Sequence, residues 1–118
     1  MPHVVLEQAK LTPELFQTLE PLTLKTDTGI LKLGEKYINA TGTIVLIEAL
    51  AVENSKKQSF FIQLSQKNTS MTVRLLPQTD PEKTPGVKIL MARAAKQIKD
   101  SSVAISYGKT NLQDYLLL

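Results

Sequence analysis

Phe61, Gln63 and Ser65 hold alternate positions in one run of the chain, and Thr72 and Arg74 do the same in the next. Paired as antiparallel strands, the two runs would put a ring, a guanidinium and several hydrogen-bonding groups on one surface. That combination can grip unstacked bases: the ring stacks, the cation meets phosphate, and the amide and hydroxyls reach base edges. Lys56 and Lys57 precede the first run and Lys67 follows it, where turns would offer them to phosphates. A competing reading buries Phe61 beneath an N-terminal helix, against Phe16 or Leu19, because large exposed rings are uncommon. The chain has three Phe, three Tyr and no Trp, a small supply for a stacking surface.

Parts for catalysis are scarce. The single histidine, His3, falls in a segment that reads as a frayed terminus, where a general base is hard to organise. The absence of cysteine removes thiol nucleophiles, disulfides and thiolate metal sites. No serine sits in a Gly-x-Ser-x-Gly elbow, and no Gly-x4-Gly-Lys-Ser/Thr phosphate loop occurs. Metal ligands would have to be carboxylates. Only Asp80 and Glu82 lie close together, on a proline-rich loop that suits a helix start better. A carboxylate pair brought together only in space is the one enzymatic route left open. The expectation is a protein that binds rather than catalyses, with no cofactor and no metal. Its expected partner is single-stranded nucleic acid or, alternatively, another protein.

Charge gives mild support. The formal net charge is +3 over 118 residues. Residues 60–118 carry Lys67, Arg74, Lys83, Lys88, Arg93, Lys96, Lys99 and Lys109 against Asp80, Glu82, Asp100 and Asp114, so the excess lies in the second half. This suits a polyanion-facing surface and equally an ordinary soluble one. No apolar run is long enough to cross a bilayer, and Met1–Glu7 lacks the basic stretch and apolar core of a signal peptide. A cytoplasmic protein without a membrane partner is expected.

The elements that would position these residues follow from periodicity. Thr12, Pro13 and Glu14 open a short helix that Pro21 stops. Leu22–Thr26 and Gly29–Leu33 alternate around Asp27-Thr28 as a hairpin. The stretch 43–53 predicts a long strand bent at Gly42, although Leu46, Ile47, Leu50 and Ala51 also have helical spacing. Phe60–Ser65 and Met71–Leu75 continue a meander. Prolines 77, 81 and 85 mark a loop, and an amphipathic helix runs from about Pro85 to Lys99, with Val87, Leu90, Met91, Ala94 and Ile98 on one face. Residues 103–107 and 112–118 read as the last strands.

Three strands, a helix and two strands over residues 36–118 resemble the OB fold in element order. The resemblance implies an α+β, β-rich, five-stranded barrel with one amphipathic helix between strands 3 and 4, and strands 2 and 3 as the ligand face. Residues 1–35 would be a helix-and-hairpin appendage within a single domain, 1–118. The apolar end Tyr115–Leu118 would form an edge strand, exposing Tyr115 and Leu117 to a second copy and so favouring a homodimer.

Overall fold

Period-two burial runs through the centre of the chain as the pattern requires. In the computed structural model, which describes residues 1–116, Ile44–Glu53 forms strand β4, and Val45, Ile47, Ala49 and Ala51 point into the core. Lys56–Lys67 (β5) sends Phe60, Ile62 and Leu64 to the same side, and Ser70–Leu75 (β6) sends Met71, Val73 and Leu75. Gly29–Ile38 (β3) and Leu22–Lys25 (β2) extend the sheet past β4. β3 runs unbroken through residues 35 and 36, where the appendage was expected to end. Asn54 and Ser55, both at positive φ, make the tight turn between β4 and β5.

His3–Glu7 (β1) pairs with β6 on one side and with Ser106–Thr110 (β7) on the other. The result is one antiparallel sheet in the order β2-β3-β4-β5-β6-β1-β7. Val4 and Leu6 are fully buried, so the segment around His3 is not frayed. A strand whose neighbours lie about seventy and a hundred residues away in the chain leaves no local hairpin signal. The side chain of Gln66 ties down the chain after β1: its Oε1 accepts from Leu11 N at 2.5 Å and its Nε2 donates to Ala9 O at 3.0 Å.

One long helix covers the inner face. Pro85–Asp100 (α2) buries Val87, Leu90, Met91, Ala94, Ala95 and Ile98 against the sheet, as their spacing predicts. Its start is held twice. Thr84 Oγ1 accepts from Val87 N, while Glu53 accepts from the Thr84 hydroxyl through Oε1 and from Gly86 N through Oε2. Thr84→Ala therefore removes a cap and an anchor of the carboxylate, and thermal denaturation should report a loss of about 1–2 kcal/mol. Pro13–Thr18 (α1) lies beside α2. The carbonyls of Phe16 and Leu19 accept from Lys36 Nζ at 2.6 and 2.7 Å, which places a cation at the negative end of α1.

The expected five-stranded barrel is thus corrected. Among the described residues the chain forms seven strands in one sheet and three α-helices. The long helix follows the sixth strand, not the third. The expected strand at 103–107 begins only at Ser106, and that at 112–118 is absent over its described part, where Gln113–Leu116 (α3) is helical. Leu112 is buried and Tyr115 and Leu116 pack on the core, so the described part of this end meets the interior as a helix rather than alternating along an edge. The likeness survives at a coarser level, as a curled antiparallel sheet with few helices, consistent with a small OB-like half-barrel.

Candidate functional site

The helices pack on one face of the sheet, and the opposite face holds the residues of interest in rows set by the register. Gln63 lies opposite Arg74, and Ser65 opposite Thr72. On the other side of β5, Phe61 faces Glu48, Ser59 faces Leu50, and Lys57 faces Val52. Alternation thus brings Phe61, Gln63 and Arg74 onto one outer surface, together with Lys57 and Lys67, which were expected in turns but lie within β5. Lys56 falls on the other side, in register with Glu53, and its Nζ pairs with Glu82 at 2.6 Å. Gln63 is only 6% exposed, whereas Arg74 is open to solvent.

A bulge decides what stands beside Phe61. Leu33 pairs with Ala49 and Lys36 with Ile47, so Gly34 and Glu35 together oppose Glu48. The extra residue reverses the facing of everything after it. Lys36 turns inward to α1, and Tyr37 turns outward, opposite Leu46. Tyr37 is 48% exposed, and its ring meets Phe61 edge-on at 6.4 Å and 67°. Phe61 therefore does not pack beneath α1. It is half-buried on the far side of the sheet.

β6 ends at Leu75, and Thr79 takes its place beside Phe61, whose N–H donates to Thr79 Oγ1 at 3.0 Å. A cleft of about 530 Å³ opens there, lined by Lys32, Gly34, Glu48, Leu50, Lys57, Ser59, Phe61 and Thr79, with Ala49 and Phe60. Gly34 has no side chain to cover Glu48; a Cβ built there would stand 3.3 Å from Glu48 Oε1. The Tyr37 hydroxyl donates to Glu48 Oε2 at 2.9 Å. Ion pairs among the described residues join Lys56 to Glu82, Lys83 to Asp80 and Lys96 to Asp100; Lys32, Lys57, Lys67 and Arg74 are in none. The outer surface therefore combines cations in no ion pair, two rings and the carboxylate of Glu48, with the charge of Glu35 also near Tyr37.

The Glu48 contact holds the Tyr37 phenol above the ordinary tyrosine value, because the hydrogen bond to the carboxylate, then burial and the nearby negative charge, oppose ionisation. Tyr107 is also raised, chiefly by burial. Alkaline titration followed by tyrosinate absorbance should show Tyr37 ionising late in the intact protein and earlier in Glu48→Gln, with Tyr107 unmoved. A phenol raised on folding contributes stability below its unfolded value and loses it as pH climbs through the folded one.

Tyr37, Glu48 and Lys32 were not singled out by the sequence. The signal for Tyr37 lay in Gly34, a strand glycine that often marks a bulge. Tyr115, expected on an edge strand, sits half-buried in α3, and Leu117 lies outside the described residues. Among the described residues no three of His, Cys, Asp or Glu group as metal ligands, and no helix is long and apolar enough to cross a membrane. Comparison with protein-family models, with curated proteins and with solved structures found no match.

Proposed function

We propose that the protein is a non-catalytic binding module that holds single-stranded nucleic acid across the outer face of its sheet. The observation that carries this reading is that Lys32, Lys57, Lys67 and Arg74, in no ion pair among the described residues, lie along the same outer face as the Tyr37–Phe61 ring pair. Cations that track a backbone beside rings that stack on bases are the two parts of a sequence-tolerant strand site.

Fluorescence anisotropy with short labelled DNA and RNA strands tests it. Binding should weaken linearly in log–log plots against salt. Phe61→Ala should cost about 1–3 kcal/mol in affinity. Arg74→Ala should weaken all sequences alike and flatten the salt slope by about one. Absence of binding at low salt would defeat the reading.

A second reading has its own observation. Ile44, Leu46, Leu50 and Val52 on β4 are only partly buried on the same face, an apolar row suited to a protein partner. Isolation of a defined complex that Leu46→Lys disrupts, with no strand affinity, would favour it.

A further inference from the structure

We propose that the cleft beside Phe61 is a guanine-selective base site read by Glu48. This inference rests on the nucleic-acid reading of the outer face and adds a base preference to it. The cleft, at about 530 Å³, lies within the roughly 300–1,000 Å³ range of small-molecule sites and admits a nucleotide. Phe61 and Leu50, neighbours on the outer face of β5 and β4, form its apolar floor, and Lys32 and Lys57 also line it. A base stacked on Phe61 would direct one edge along the sheet toward Glu48, the residue across the strand from that ring, and leave its sugar-phosphate to the solvent side.

What faces that edge is an acceptor. Glu48 borders the cleft over the bare backbone of Gly34, and Tyr37 occupies one acceptor position of Oε2. A carboxylate has about four lone-pair sites, so both oxygens keep capacity for a ligand. Guanine alone among the common bases offers two adjacent donors, N1–H and the N2 amino group, on its Watson–Crick edge. Adenine and cytosine set a ring nitrogen acceptor beside their single amino group, and that lone pair would face the second carboxylate oxygen. Uracil and thymine place their one N–H between two carbonyls. The Tyr37 bond fixes the carboxylate before a ligand arrives, so little rotamer freedom remains to be lost on binding.

The test uses the full chain and five-nucleotide DNA strands, all thymine except for the central position. With guanine at the centre the dissociation constant should be about tenfold lower than with adenine, cytosine or thymine, the size expected of a good bidentate pair. Inosine, which lacks the N2 amino group, should fall between. Glu48→Gln, which replaces one acceptor oxygen by an amide donor, should bring the guanine-to-thymine ratio close to one. Free GMP separates nucleotide from strand. GMP bound in a Glu48-dependent way without strand binding supports the guanine site and overturns the strand reading. Equal affinity for all four centres overturns the guanine site and leaves the strand reading standing. A guanine preference that persists in Glu48→Gln also overturns the site, and no binding of any probe overturns both.

Discussion

Leu6→Ala is expected to lower the unfolding free energy by about 2–5 kcal/mol, the range for truncating a fully buried leucine. Leu6 has no exposed surface and stands in β1 between Met71 of β6 and Tyr107 of β7. Truncation loses apolar transfer energy and leaves a void that three strands and α2 would have to close together. Collapse is hard there, because β1 is hydrogen-bonded on both edges. Urea denaturation should show the midpoint falling with an unchanged slope. Val5, one residue back, points to the outer face opposite Thr72 and is only partly buried, so Val5→Ala should cost far less. If the two substitutions cost the same, β1 is not where we describe it.

Gly29→Ala sets two effects against each other. A glycine-to-alanine change narrows the unfolded ensemble and can stabilise a protein by about 0.4–1 kcal/mol where the native backbone accepts it. Here a Cβ would overlap the carbonyl oxygen of Val52, which is backbone and cannot swing aside. Relief requires β3 to move away from β4 at the Gly29–Glu53 pair. Forced overpacking costs about 1–3 kcal/mol and exceeds the entropic gain. Net destabilisation in chemical denaturation is expected, with hydrogen exchange at Asn54 N, which donates to Thr28 O, becoming faster. A stabilised variant would show that this strand start has room to shift.

Much of the centre was legible because local pattern and global burial agree there. The meander of β5 and β6, the burial stripe of α2 and the Thr12 cap all follow from spacing and residue type. The outer placement of Phe61, Gln63 and Arg74 follows from the same alternation. Two kinds of information were out of reach. β1 draws its stability from partners remote in the chain, so its five residues carry no turn signal to announce it. Tyr37 faces outward only because Gly34 and Glu35 share one partner, and strict alternation from Leu31 and Leu33 assigns it inward. Glu48 was hidden for another reason: its neighbours suit a helix, and its value to the site comes from the missing side chain of Gly34 across the sheet. The described part of the end, residues 112–116, was misread because leucine-rich runs suit either period when they are short.

The place of β1 between β6 and β7 also governs the order in which the chain can assemble. Its partners lie at residues 70–74 and 106–110, so neither edge of the first strand can be satisfied until most of the sequence is available. The hairpins β2-β3, β4-β5 and β5-β6 close through short turns and need no such wait. High sequence separation slows the search for native pairings. During synthesis, Val4, Leu6 and their backbone groups emerge before either partner strand does. Until β1 docks, β6 keeps a free edge and the core lacks Val4 and Leu6, which leaves the chain open to mispairing.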